Sequence, residues 1–321
     1  MKKSAIIIIS TIIITFITAF ATSKMIRVPS GKENGGCYAT NITEALHDSI
    51  AKIVSEYPGE IGVALILNNT DTITVNNRNI YPMMSVFKLH QALAVCKNFE
   101  KRGISLDTLI TIRSNELDAD TWSPMIKEHT DSVFTLSVRD LLRYTLAMSD
   151  NNASNLMFGK LVDTSATDSY IATLIPRQSF RIAHTESEMS ADHLKSYSNS
   201  TSPLGAAILI NRLFNDSLIS SKNQRFITRT LQECKTGNDR IAAPLLNEPG
   251  VKIAHKTGSG YTTSEGVLMA HNDVAYITLP DGTSYSLAVF VKDFKGNESE
   301  AAAAIAQISR TVYSTIKCHK R

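Results

Sequence analysis

The chain has no run of histidine and cysteine at metal-ligand spacing. Its eight histidines, at 47, 90, 129, 184, 193, 255, 271 and 319, form no His-Glu-x-x-His or related pattern, which argues against a metal-dependent mechanism. Charge of one sign is also missing. Thirty-three Lys and Arg stand against 30 Asp and Glu, and no basic stripe or Arg/aromatic interleaving suits nucleic acid. Cysteine is scarce, at 37, 96, 234 and 318 only. An oxidising compartment would allow two bridges in any of three connectivities, a choice the sequence leaves open, and Cys96 reads as a buried thiol. A hydrophobic content of 43% with 20% charged residues excludes disorder. At 321 residues the chain can bury a large core, as one sizeable domain or two intimate ones.

One long hydrophobic run is present, from Ala5 to Phe20. A basic start (Met1-Lys2-Lys3-Ser4) and the ending Ala19-Phe20-Ala21 make it read as a secretory signal peptide cut after Ala21. An uncleaved anchor is the competing reading. The expectation is an exported mature chain without a membrane segment, residues 22–42 forming its leader. Cys37 lies too far from the run to suggest lipid attachment.

Periodicity then places a helix over Glu44–Glu56, ended by Pro58-Gly59, and two strands, Ile61–Leu67 and Thr72–Val75. From Ser85 to about Glu233 the helical period dominates. Helices are expected over Val86–Cys96, Leu136–Ala147 (opened by a capping box at Ser137–Asp140), Asn155–Val162, Pro203–Phe214 and Asn223–Glu233. Pro176–Ser202 is polar with little period, and a loop that long is usually functional. Strands return over Val251–Thr257, Val267–Leu279 with a break near Asn272, and Tyr285–Lys292, before a closing helix from Ser299 to Ile316. Strands at both ends around a helical middle imply a sheet built from both termini with a helical insertion, and a cleft between the two.

Three short motifs carry chemistry. In Tyr81-Pro82-Met83-Met84-Ser85-Val86-Phe87-Lys88, Ser85 sits in a first helical turn, where free backbone N–H groups favour developing negative charge. Lys88 stands over it one turn on, and burial lowers a lysine pKa toward that of a base. Ser-x-x-Lys also occurs at Ser49/Lys52 and Ser314/Lys317, but those lie on amphipathic terminal segments. Ser85/Lys88 opens a nearly uncharged helix, where a buried lysine needs a reason. Ser149-Asp150-Asn151 follows the capped helix; its plain reading is a helix end with a new N-cap, its functional one a proton carrier beside an amide. Lys256-Thr257-Gly258-Ser259-Gly260 ends a strand, with glycines that let a ligand approach the backbone. A second Lys-Thr-Gly, at 235–237, reads as a helix stop.

Ser-x-x-Lys, Ser-Asp-Asn and Lys-Thr-Gly in this order resemble the set of the class A β-lactamases and penicillin-binding proteins, over residues 43–321. The resemblance implies an α/β (α+β) fold: an antiparallel sheet flanked by helices (about 43–83 and 235–321), an all-α part (about 84–234), and the active site between them. It implies Ser85 as nucleophile, its proton passing to Lys88 or through water to Glu186, with Ser149, polarised by Lys256, handing a proton to the leaving nitrogen. The backbone N–H groups of Ser85 and Ser259 would form the oxyanion hole. Thr257, Ser259 and Lys256 would bind the substrate carboxylate, Asn151 its side-chain amide, and Trp122 would border the mouth. In His184-Thr185-Glu186-Ser187-Glu188-Met189-Ser190, Glu186 matches the glutamate that activates the deacylating water, with Glu188 the weaker choice.

The chain departs from the commonest class A pattern at three places. Ser190 stands where an asparagine usually helps hold the water, and His184 where many members have an arginine. No arginine follows Lys-Thr-Gly to anchor the carboxylate; the run is Tyr261-Thr262-Thr263-Ser264-Glu265-Gly266. Such departures, and Ala254-His255-Lys256-Thr257-Gly258, resemble the extended-spectrum cephalosporinase branch. The activity implied is hydrolysis of cephalosporins and penicillins in the periplasm, with no cofactor, no nucleic acid and no obligate protein partner. A D-Ala-D-Ala peptidase or a non-hydrolytic β-lactam sensor are the alternatives.

Overall fold

Side-chain alternation along the strands builds a sheet buried on both faces. In the strand Glu60–Leu67, Ile61, Val63, Leu65 and Leu67 enter one core while Ala64 and Ile66 enter another. The strand Ser284–Phe294 repeats the pattern, with Leu287, Val289 and Val291 against Ala288 and Phe290. A computed structural model describes residues 36–319 of the chain, with side chains from residue 42. The signal-peptide reading falls on residues outside those described.

The main sheet has five antiparallel strands in the spatial order Asp71–Val75, Glu60–Leu67, Ser284–Phe294, Leu268–Thr278 and Lys252–Ser259. It is therefore assembled from both ends of the described chain. One face is covered by the helices Gly36–Ser55 and Glu298–Cys318. Ile305, Ile308, Val312 and Ile316 form the apolar stripe of the second helix, and each fully buried aliphatic contributes about 2 kcal/mol. Truncating Ile308 to alanine would cost about 3 kcal/mol, since the cavity adds to the lost transfer energy.

The opposite face joins the helical region through Pro203–Asn215, whose Ala206, Ala207 and Ile210 share a core with Ala64, Ala288 and Phe290. Gly62 permits this approach, because a Cβ there would lie 2.5 Å from the Tyr81 ring. At the centre of that region Phe87–Lys101 is buried nearly all round by Val138–Ala147, Asn151–Lys160 and Thr164–Ile171. Apolar residues on all sides of one helix require this encirclement.

The structure differs from the sequence-based expectations at several points. The first helix starts at Gly36 rather than Glu44 and so runs through the end of the expected leader; Ile42 already packs against the core. Ser85 lies in a 3₁₀ turn, Met84–Val86, just before the α-helix. The strand Leu268–Thr278 has no break at Asn272. That buried side chain donates to the carbonyls of Pro82 (2.8 Å) and Met83 (3.2 Å) and accepts from the N–H of Val291, so a polar residue is satisfied inside a strand. The helical region also holds a hairpin, Leu109–Arg113 with Val133–Ser137, where the β-branched run Ile110-Thr111-Ile112 outweighs helix propensity. Ser137 caps Val138–Ala147 by accepting from the N–H of Asp140, whose carboxylate takes the Ser137 hydroxyl.

Candidate active site

The Tyr81–Pro82 strand delivers the chain into a tight turn whose Met84 has φ +46, a left-handed conformation for a residue with a side chain. Backbone strain of this kind is held in place only by its surroundings. Here the neighbour is Gly258. A Cβ at that position would overlap the Met83 carbonyl and sit 3.3 Å from the Ser85 nitrogen. Glycine is thus required for the Lys256–Ser259 strand to lie beside the Ser85 turn. Ser85 and Ser259 line one cleft by this route.

Lys88 is fully buried and meets four oxygens. Its Nζ donates to Ser85 Oγ (3.0 Å), the Ser149 carbonyl (2.8 Å) and Asn151 Oδ1 (2.6 Å), and lies 2.8 Å from Glu186 Oε1. Ser85 Oγ in turn donates to Glu186 Oε1 at 3.1 Å. Glu186 opens the short helix Glu186–Ala191, whose N-cap Thr185 and Glu188 form a reciprocal capping box. This gives the two glutamates separate work. Glu188 is spent on the cap at the surface, and Glu186 is buried against the serine.

Ser149-Asp150-Asn151 does begin a new helix with an N-cap, and its serine and asparagine also meet the two buried amines. Asp150 is the N-cap of Asn151–Lys160, and its buried carboxylate also accepts from the Met125 N–H and the Ser123 hydroxyl. That anchorage holds Ser149 at φ +57. Lys256 Nζ donates to Ser149 Oγ at 2.9 Å and to the Thr257 carbonyl at 2.9 Å. Burial, with the nearby Lys88 charge, lowers the Lys256 amine to about 7. Asn151 Nδ2 donates to Thr121 Oγ1, which fixes the amide whose oxygen faces Lys88.

These groups surround a cleft of about 500 Å³. Ser85, Ser149, Asn151, Glu186, Ser190, Thr257, Ser259 and Trp122 all line it, with Lys88 and Lys256 buried behind its wall. Trp122 is 56% exposed, and its Nε1 donates to the Met148 carbonyl. Among the described residues, no group of three or more His, Cys, Asp or Glu could hold a metal ion, and no helix is long and apolar enough to cross a membrane.

Two features were not anticipated. Arg240 is buried directly behind the cleft strand, donating to the carbonyls of Gly258 (3.1 Å) and Asn272 (2.7 Å) and to Ser259 Oγ (2.5 Å). It brings a guanidinium to the wall that lacks an arginine after Lys-Thr-Gly. The signal was an arginine before the apolar run Ile241-Ala242-Ala243, with the segment's fold unknown. The second is the supposed helix stop at 235–237. Gly237 does adopt φ +71, but Thr236 Oγ1 lies 2.6 Å from Thr257 Oγ1, so the two Lys-Thr-Gly segments touch. As for cysteine pairing, Cys96, Cys234 and Cys318 are free thiols, and the Cys37 side chain is outside those described.

The model of the β-lactamase enzyme family matches residues 45–316. A β-lactamase of Phocaeicola vulgatus is 59% identical, covering 98% of this chain and 96% of that protein. Extended-spectrum β-lactamase PER-1 of Pseudomonas aeruginosa is 31% identical over 84% of this chain and 86% of its own. The crystal structure of TLA-3 extended-spectrum β-lactamase superposes with a TM-score of 0.82 at 30% identity, covering 85% of this chain and 99% of its own. A class A representative from Bacteroides cellulosilyticus gives 0.81 at 31%, over 86% and 99%. Sequence and fold together show that the chain belongs to the β-lactamase enzyme family, as a class A serine enzyme akin to the extended-spectrum members.

Proposed function

We propose that this β-lactamase opens cephalosporins and penicillins through an ester on Ser85 that Glu186 clears. The single observation that carries this reading is the direct 3.1 Å hydrogen bond from Ser85 Oγ to Glu186 Oε1. The one proton of the hydroxyl points at a carboxylate, while Lys88 donates to the oxygen's lone pair. Glu186 therefore takes the serine proton as Oγ bonds to the lactam carbonyl carbon. The oxyanion is received by the N–H groups of Ser85 and Ser259, where one such donor is typically worth about 3 kcal/mol. As the carbon–nitrogen bond breaks, Ser149 gives its proton to the ring nitrogen and draws one from Lys256. The proton held by Glu186 returns by way of Lys88 to the Ser149–Lys256 pair that gave one up. Water then attacks the ester, Glu186 accepts its proton and passes it to Ser85 Oγ as the acyl–oxygen bond breaks, and the acid product leaves.

Arg240, Ser259, Thr257 and Lys256 supply the positive and hydroxyl character that receives the substrate carboxylate. Ser190 and Tyr261 line the same cleft as Glu186. Tyr261 is itself stacked on His193, ring centroids 3.6 Å apart and planes within 5°. This clasp joins the segment after the cleft strand to the turn that follows the Glu186 helix, and so braces the wall of the cleft. Cephalosporin preference is supported by the likeness to proteins named extended-spectrum β-lactamases. Action in the periplasm is supported by the basic start, apolar run and small-residue ending of residues 1–21. Nor does the site favour a peptidase or a silent sensor, since both dispense with a carboxylate poised on the nucleophile. Steady turnover of nitrocefin, with a transient adduct mapped to Ser85, tests the reading; stoichiometric labelling by penicillin without turnover would overturn it.

A further inference from the structure

The charged side chains that line the cleft are all negative. Among the described residues no lysine or arginine lines it, since Lys88 and Lys256 are buried behind its wall, and the lining carboxylates are Asp120, Glu186 and Glu298. Glu186 is tied to Lys88 and Ser85. The other two have no such work. Asp120 comes from the loop before the helix Pro124–Glu128, and Glu298 opens the helix Glu298–Cys318. Both are exposed, and among the described residues neither carboxylate takes a hydrogen bond or joins an ion pair.

Strand topology sets Glu298 on the carboxylate-binding side of the cleft. The strands Lys252–Ser259 and Ser284–Phe294 both run antiparallel to Leu268–Thr278, so they end together. Ser259 lies opposite His271 and Phe294 opposite Leu268, and the turn after Phe294 therefore starts the last helix at the Ser259 end of the sheet. Thr257, Ser259 and Glu298 line one cleft as a result. The helix does not need Glu298 as a cap. Asn297 Oδ1 accepts from the Glu300 N–H and Glu300 Oε2 from the Asn297 N–H, both at 2.9 Å, which completes a reciprocal capping box.

We propose that Glu298 is a specificity-determining residue, one that favours zwitterionic cephalosporins, with a fixed positive charge on the C3 substituent, over wholly anionic ones. This rests on the cephalosporin-hydrolysing reading of the cleft. In the six-membered ring of a cephalosporin, C3 adjoins C4, the carbon that bears the carboxylate. A substrate whose carboxylate is received by Thr257, Ser259 and Arg240 brings its C3 group to the neighbouring part of the same wall, where Glu298 stands. A carboxylate there repels a singly anionic substrate and attracts a C3 cation. Asp120 adds to the same field, and no lining lysine or arginine opposes it. Exposed charge pairs of this kind change binding by about two- to fivefold.

The test is steady-state kinetics with cephaloridine and cephalothin. These share the ring system, the carboxylate and the thienylacetyl side chain, and differ at C3, where the first carries a pyridinium and the second an acetate ester. In Glu298→Gln the ratio of their kcat/KM values, cephaloridine over cephalothin, should fall about fivefold, through a higher KM for cephaloridine at nearly constant kcat. Glu298→Lys should lower the ratio further, by about 20-fold in all. In the wild-type protein, raising sodium chloride from about 20 mM to about 300 mM should lower the ratio about twofold, because salt screens exposed charges and the effect on the shared carboxylate cancels. An unmoved ratio in Glu298→Gln or Glu298→Lys, an equal loss on both substrates, or a ratio indifferent to salt would each overturn the proposal. The salt series needs no variant and so decides even if one folds poorly. Wild-type turnover of neither substrate would refute the hydrolytic reading and this inference with it, whereas turnover of both with an unmoved ratio refutes only the role of Glu298.

Discussion

Oε1 of Glu186 accepts from Ser85 Oγ at 3.1 Å and lies 2.8 Å from Lys88 Nζ. One carboxylate oxygen thus ties the nucleophile, the buried amine and the helix Glu186–Ala191 into a single unit. Glu186→Gln keeps the shape but removes the proton acceptor. It should lower kcat by about 10²- to 10⁴-fold, as loss of a general base does. Because the oxyanion hole and Ser149 remain, the ester should still form slowly and persist. A mass increase equal to the opened substrate, on a peptide containing Ser85, is the expected sign. Turnover unchanged in this variant would contradict the role.

Lys256 gives the enzyme a pH signature. The charged amine attracts the substrate carboxylate, and burial with the Lys88 charge has lowered it to about 7. Deprotonation as pH rises through that value removes the attraction, so kcat/KM of the free enzyme should fall on the alkaline side from about pH 7. Bound substrate carboxylate favours the charged form, which moves the corresponding limb of kcat to higher pH. Lys256→Arg keeps the charge at all working pH values and should flatten the alkaline limb of kcat/KM. It should also lower kcat, since an arginine cannot relay a proton to Ser149.

How far the sequence revealed this site depends on whether a local rule governed each residue. Ser85, Lys88, Ser149, Asn151 and Lys256 sit in short motifs whose spacing survives folding, and they meet as expected around one cleft. Glu186 was legible through its match to the family's glutamate, and the Thr185/Glu188 capping box, seen only in the fold, shows the other glutamate to be structural. Arg240 was not legible, because its partners Gly258, Asn272 and Ser259 are 18 to 32 residues away and join it only through the sheet. Asn272 was misread for the same reason. A polar residue in an apolar strand signals a break unless its distant acceptors, here the carbonyls before Ser85, are known.

Arg240 leads to a prediction of its own. Removing its side chain takes a donor from two buried carbonyls and a positive charge from near Asp273, and cutting one partner from such a network costs about 3 kcal/mol or more. Arg240→Ala should therefore lower the thermal midpoint as well as raise KM for carboxylate-bearing cephalosporins. Arg240→Lys keeps the charge but loses the fork, so it should recover part of the stability and less of the KM. Equal KM values in wild type and both variants would remove Arg240 from substrate binding.

Two buried histidines set an acid limit on stability. Burial lowers His90 to about 4 and His271 to about 3, His271 also feeling the Arg240 charge. Both folded values lie below the unfolded one, so stability is fully present above pH 6.5 and is lost as pH falls, because only the unfolded chain then takes up protons. For His90 alone the loss between pH 6.5 and 4 is about 3 kcal/mol. His255 has the opposite sign: its folded value of about 10 gives stability that is present below 6.5 and lost as pH rises toward 10. Urea unfolding at half-unit steps from pH 4 to 8 should show the acid limb. His90→Leu should make it shallower by the His90 share.

The His193–Tyr261 stack makes a prediction that separates the two halves of the reaction. The pair joins the segment after the strand Lys252–Ser259 to the turn that follows the helix Glu186–Ala191. Tyr261→Phe keeps the ring stack, worth about 1 kcal/mol beyond its burial, and loses only the phenol hydroxyl. Tyr261→Ala loses both. Single-turnover acylation of Ser85 should be nearly the same in wild type and both variants. The rate of ester hydrolysis should be nearly unchanged in Tyr261→Phe and fall by about fivefold in Tyr261→Ala, as expected for loss of a ring stack of about 1 kcal/mol. Because the slow step is then deacylation, kcat and KM should drop together while kcat/KM stays nearly constant. A fall in kcat/KM with unchanged KM would instead assign Tyr261 to the acylation step and remove the clasp from the deacylation step.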